Sequence, residues 1–490
     1  MQLSKVEDAY RVIDRDFGTY LEEFRRYLRQ PGVSSTGEGI RESAELTLEY
    51  VRSLRNTTAR LVETGGNPVV LGKASTQDPQ TKTLLLYCFY DVVPVVPEEW
   101  VSPPFKPTVL EAERLGLPAE YGEVLCARGP VDHKGPFLAA LLGLRAMQEV
   151  GGLPVNVIFV IEGEEEIGSP SLPAFVHAHQ EELREADAFW LPRISQESVG
   201  GPMIVHRGYK GQFRLQLAVR GGEWGGTLDG RDIWAANVAW VDAPLWRMVR
   251  ALNTLVDEND RITIDGFWDH VRPMGPREEA EIADLQAAFD EEKTKRGLKI
   301  ARFKGGRSGK DLLPRYVFEP QLNLGLGVFP GMPGEESYTK GVIDETARTE
   351  LIMRGRARLD FRLTPDLEPD LVVSLLRAHL DRRGFREIEI QRTTIGYSWS
   401  RSEPISGVYR ALFRACKARG IRPLVWPTMS SCAPFDLFNR HPLQLPMIIF
   451  GGGHGAWFHE ANEYVCVEGI REFMKLMVTW LYAWSEEAAP

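Results

Sequence analysis

At 490 residues the chain is too long for one ordinary hydrophobic core, so two domains are expected. Its 43% hydrophobic content, with 12 Trp and 22 Phe, excludes a disordered chain, and a formal net charge of -10 argues against a nucleic-acid partner. Five scattered cysteines (Cys88, Cys126, Cys416, Cys432, Cys466) form no CxxC pair, which speaks against a disulfide framework or a structural zinc knot and fits a reducing cytoplasm.

The N-terminal segment lacks an apolar signal core, and the spacing of Val6, Tyr10, Ile13, Phe17, Tyr20 and Phe24 predicts an amphipathic helix. No apolar run reaches the ~18 residues that would span a membrane. LLLYCFY (84–90) and VNVIFVI (155–161) are β-rich runs, with FLAALLGLRAMQEV (137–150) between them at helical length and spacing. This alternation predicts an α/β domain with a mainly parallel sheet, in which ligands gather at the carboxyl ends of strands. Those ends carry Asp91, the acids from Glu162 to Glu166, Arg193 after DAFWL and the GGGHG turn after MIIF.

From about 210 to 393 the texture changes. GQFRLQLAV, ARLDFRLTP and EIEIQRT read as half-exposed strands and LVVSLLRAHL as a helix packed on them, which predicts an inserted α+β domain. Residues 1–209 and 394–490 would then make up the first domain. The chain closes on a helix whose Ile470, Phe473, Met477, Trp480 and Trp484 line a core-facing stripe.

Three segments carry chemistry. EGEEEIGS (162–169) crowds carboxylates at a strand end, where they repel unless a cation or shared proton offsets them; a solvated turn is the plain alternative. ARGPVDHKG (127–135) presents Asp132 just before a helix, a little early to cap it. HEANE (459–463) offers His459 after a glycine-rich turn, where a satisfied histidine is the plain alternative. Together Asp132, Glu166 and His459 supply two hard oxygens and an imidazole, a set suited to one divalent transition metal, zinc first and manganese or another next. Glu165 would then be the general base.

The order WVSPPFKP (100–107), ARGPVDHKG, LPVNVIFVIEGEEEIGSP, GFWDHVRP (266–273), LDFRLTPD (359–366) and HEANEY resembles the co-catalytic metallopeptidases that include carnosinases, aminoacylases and glutamate carboxypeptidases. The resemblance implies a zinc-aminopeptidase-like catalytic domain interrupted by a lid domain that often dimerises, hence a homodimer acting on a small molecule. It also implies that Asp132 bridges two metals, Glu165 is the base, Glu166 and His459 are ligands, and Arg362 grips a substrate carboxylate.

The departures from that pattern are specific. Phe89 stands where the first motif's metal-binding His belongs, with Asp91 retained, and Arg193 replaces the acidic ligand expected after DAFWL. The lid His is unmatched, with Ile233 near its place, and the GGSxP-like turn reads SSCAP (430–434). Both private ligands of the second metal are therefore missing, and a one-metal hydrolase of a C–N bond in a small carboxylate-bearing substrate is expected. Arg193 is expected within salt-bridge reach of Asp132 or Asp91, taking over the charge of the lost ion beside the catalytic set of Glu165 and Asp91. A two-metal peptidase using Glu197 or His133 out of register, or a silent binding protein, are the alternatives.

Overall fold

The computed structural model describes residues 3–78, 80–333, 350–393, 396–403 and 406–488. The chain divides into two compact units, Met1–Gly208 with Arg401–Pro427 and Pro434–Pro490, and Tyr209–Ser400 with Thr428–Ala433. The SSCAP turn thus belongs mostly to the second unit, where Lys210 donates its backbone N–H to the Met429 carbonyl at 3.0 Å. The boundary expected at 393/394 touches residues outside those described.

The first unit is built on an eight-stranded sheet. Its strands are β1 (Thr57–Val62), β2 (Val69–Ala74), β3 (Thr83–Phe89), β4 (Asn156–Glu162), β5 (Ala188–Pro192), β6 (Met203–His206), β7 (Pro423–Trp426) and β8 (Met447–Phe450). They lie in the order β1-β2-β4-β3-β5-β8-β6-β7. The central pairs β4–β3, β3–β5 and β5–β8 are parallel, while β1–β2, β2–β4 and β8–β6 are antiparallel. β3 and β4 are buried along their whole length, which is why they read as continuous apolar runs rather than alternating ones.

Helices α1 (Leu3–Arg29), α2 (Lys134–Glu149), α3 (Gly407–Ala418) and α4 (Val467–Ser485) pack with the sheet into one core. The predicted stripes supply that core: Val6, Ile13, Phe17, Tyr20 and Phe24 of α1 and Ile470, Phe473, Met477, Trp480 and Trp484 of α4 are buried. Trp190 on β5 packs against Trp480 with ring centroids 5.0 Å apart, tying sheet to helix.

The second unit is α+β. Its antiparallel sheet orders the strands Gln321–Pro330, Arg354–Leu363, Gly211–Arg220 and Glu389–Arg392. Phe213, Leu215, Leu217 and Val219 share a core with Val372, Leu376 and Leu380 of the helix Pro369–Arg382, as the sequence pattern predicted. Gly211–Arg220 is more buried than expected, with only Arg214 and Arg220 exposed, because it is an inner strand paired on both edges.

Candidate active site

Three chain turns meet at the carboxyl ends of β3 and β4. The loop before α2 carries Asp132, and its tightness comes from glycine: Gly129 has φ +90, and a Cβ on Gly135 would sit 2.0 Å from the Pro130 carbonyl oxygen. α2 begins at Lys134 with His133 at its N-cap, so Asp132 stands just outside the helix and is not its cap. β4 leads into the Glu164–Gly168 turn that carries Glu165 and Glu166. His459 follows the turn after β8 and has a left-handed backbone, φ +62, uncommon for a non-glycine residue.

The three expected ligands converge. His459 Nε2 lies 2.9 Å from Asp132 Oδ2 and 3.0 Å from Glu166 Oε2, and the three ligand atoms fall within 4.8 Å of one another. The Asp132 and Glu166 side chains are mostly buried, whereas that of His459 is half exposed. Two carboxylate oxygens and one imidazole nitrogen at this spacing are a fitting donor set for one zinc-like ion.

The electrostatics are those of anions held close together. Burial pushes the Glu165 carboxyl well above its ordinary range, reinforced by Glu166, Asp132, Asp91 and Glu162. Burial likewise lifts Glu166 to about 7 against the pull of His459. His459 is raised to about 10 by its hydrogen bonds to Asp132 and Glu166. Although burial works the other way, His133 and His459 hold Asp132 below its usual range. Such a cluster is relieved by a cation.

Two further expected site residues, Asp91 and Arg193, are placed as follows. Asp91, placed among the reacting groups, is fully buried, and its carboxylate accepts the backbone N–H groups of Glu165 at 3.3 Å and Glu166 at 3.1 Å. It shapes the acidic turn, and those amides relieve the cost of burying it without a metal-bound partner. The expected ion pair of Arg193 with Asp132 or Asp91 is not formed. The Arg193 guanidinium lies 5.9 Å from the Phe458 ring, and Asp132 has its own neighbours, His459 on Oδ2 and the adjacent His133 Nδ1 in close contact with Oδ1. The alternative ligand Glu197 is exposed and lies outside the convergent set.

Phe89 is buried in the place expected of a ligand, its ring centroid 4.5 Å from that of His133. His133 is itself buried, and its Nε2 has no hydrogen-bond partner.

Sequence reasoning missed Glu463. Its wholly buried carboxylate takes four hydrogen bonds: from Arg128 Nη1 at 2.7 Å and from the backbone N–H groups of Gly129 (2.8 Å), Val131 (2.9 Å) and Asp132 (3.0 Å). Arg128 also lies over Trp100, at 5.1 Å, and donates its backbone N–H to the Pro104 carbonyl at 2.9 Å, which links WVSPPFKP to the same loop. The second acid of HEANE was the available signal.

In the second unit, Arg362 donates to Asp360 Oδ2 at 3.2 Å and to Cys432 Sγ at 3.1 Å. Gln212 closes the ring through Asp360 Oδ1 at 2.8 Å and Cys432 Sγ at 2.6 Å. Ile233 is half-buried and pairs with Leu351 in a two-stranded ribbon.

Residues 85–483 match the model of Peptidase family M20/M25/M40. The chain belongs to that family. This M20 chain is accordingly a metallohydrolase acting on C–N bonds, and the resemblance drawn from its motifs holds. It is 25% identical over 443 residues to the Cys-Gly metallodipeptidase DUG1 of Saccharomyces cerevisiae, covering 86% of this chain and 82% of that one. It is likewise 25% identical over 437 residues to the Beta-Ala-His dipeptidase of Rattus norvegicus, covering 83% and 78%. Among solved structures, the M20 family metallo-carboxypeptidase Sso-CP2 of Sulfolobus solfataricus superposes with a TM-score of 0.80 at 28% identity, over 95% of this chain and 99% of that one. Among the described residues, no helix is long and apolar enough to cross a membrane.

Proposed function

We propose that this M20 chain hydrolyses an amide bond in a small carboxylate-bearing substrate of dipeptide size with one metal ion, zinc first, held by Asp132, Glu166 and His459. The observation that carries this reading is the convergence of the three ligand atoms on one point, with Glu165 beside them in the same turn. An ion there supplies Lewis acidity. Glu165 takes the proton of the attacking water and returns it to the leaving amine, a role suited to a carboxyl whose resting affinity for protons is already raised by its surroundings. Asp91 holds the Glu165–Glu166 backbone in place, and Glu463 does the same for the Asp132 loop. Arg362, kept in one orientation by Asp360 and Cys432, binds the substrate carboxylate as a fork. Relatives named for Cys-Gly and Beta-Ala-His cleavage support a dipeptide-sized substrate.

The second unit acts as lid and dimerisation domain, so the protein works as a homodimer. Its strongly exposed Trp234, Trp240 and Trp246 support that part of the reading. All five cysteines are free, in keeping with the cytoplasm.

The experiment is a dipeptide panel, assayed before and after chelator treatment and again after zinc is restored. The reading requires hydrolysis of at least one member, its loss with the metal and its return with zinc. Hydrolysis that persists in the stripped protein, or no hydrolysis across the panel at full zinc loading, contradicts it.

A further inference from the structure

We infer that the imidazole of His133 occupies the place beside Asp132 that a second metal ion would need, and so keeps the centre mononuclear. The inference rests on the metal reading above and adds a cause for its stoichiometry. A carboxylate can hold two cations, one on each oxygen. Oδ2 of Asp132 faces His459 and, through it, Glu166. Oδ1 is in close contact with His133 Nδ1. A zinc ion would have to approach that oxygen to about 2.0–2.2 Å, along a path the ring already fills.

The surroundings keep the ring there. Phe89, which offers no ligand atom, packs on His133 with centroids 4.5 Å apart, and both side chains are buried. His133 is also fixed at the backbone as the N-cap residue of α2. Phe89 therefore offers no ligand where one is expected, and the imidazole of His133 fills the space beside Asp132.

The test compares four proteins stripped with chelator, loaded with zinc sulfate, freed of excess metal and analysed for zinc per chain, with thermal unfolding as the check on folding. Wild type and His133→Asn should each hold one ion; Asn is chosen because it suits an N-cap. Phe89→His with Arg193→Asp should still hold one, because His133 remains. The same pair with His133→Asn should hold two. If the triple variant loses its cooperative melt, Phe89→His/His133→Asn against Phe89→His makes the same comparison. Two ions in Phe89→His/Arg193→Asp, or one ion in the same pair with His133→Asn, overturns the inference while leaving the one-metal hydrolase intact. Two ions in wild type falling to one in His133→Asn would make His133 a ligand instead of a barrier, and also overturns it. No ion in any of the proteins overturns the metal reading itself, and this inference with it.

Discussion

Glu463 and Asp132, far apart in sequence, are joined by a hydrogen bond from the Asp132 backbone N–H to the Glu463 carboxylate at 3.0 Å. The same carboxylate is paired with Arg128, both side chains being almost wholly buried. The HEANE turn therefore supplies the half-exposed His459, a proposed ligand, and also the buried brace of the loop that carries Asp132. Removing one partner of a buried ion pair leaves an uncompensated charge, at a cost of roughly 3–5 kcal/mol. Glu463→Ala should lower stability by about that amount in denaturant unfolding and weaken zinc binding, while Glu463→Gln, which keeps the shape and part of the hydrogen bonding, should lose less of both. Equal behaviour of the two variants and wild type would remove Glu463 from the support of the site.

Glu165→Gln should leave zinc content unchanged and lower turnover by about two orders of magnitude or more, the contribution of a positioned general base. Metal analysis and steady-state kinetics on the same preparation check this. Near-full activity would show that another group takes the proton.

Arg362→Ala should raise KM by about ten- to a hundred-fold, as expected for losing hydrogen bonds between charged groups, with a smaller change in kcat. A substrate analogue in which an amide replaces the carboxylate should bind the wild type and the variant equally. An unchanged KM on the carboxylate substrate would exclude this role.

How much of this was legible in the sequence depended on how local the signal was. β3, β4 and α2 could be read because buried strands and a core helix leave long apolar runs. That Asp132, Glu166 and His459 come together could be read because each follows a strand or glycine turn at the edge where ligands gather. The partners of Asp91 and Arg193 could not. An aspartate with no metal-bound histidine beside it invited a search for a cation, yet backbone amides from the turn after the neighbouring strand satisfy it. Nothing in the spacing of ARGPVDHKG tells which Asp132 oxygen His133 touches, and nothing in HEANE tells that its last acid points inward. Those are orientations set by packing, not by sequence neighbours.

Glu162 offers a pH test. Burial raises its carboxyl to about 8, with Tyr87 and Ser169 donating to it. Because its folded value lies above the unfolded 4.5, the folded state holds the proton more tightly. Its contribution is complete below about pH 4.5 and is lost as pH rises through about 8. Wild type should therefore lose stability between about pH 4.5 and 8 relative to Glu162→Gln, measured by urea unfolding. Parallel pH profiles for the two proteins would show that Glu162 is ionised throughout.

Trp240 and Trp246 are 80% and 60% exposed on the second unit and belong to the surface proposed for dimerisation. Replacing both with Arg should convert the proposed dimer to monomer in sedimentation at micromolar concentration while leaving the melting transition cooperative. A monomeric wild type, or a dimer unaffected by the change, would rule out this surface as the interface.

The central claim is that a single metal centre made by Asp132, Glu166 and His459 performs the hydrolysis. Elemental analysis of zinc-loaded wild type and His459→Ala, paired with turnover of the best dipeptide, tests it most directly. The account predicts one ion per chain in wild type, and in the variant a loss of that ion together with the activity. Two ions in wild type, or a His459→Ala protein that retains both its ion and its turnover, would contradict it.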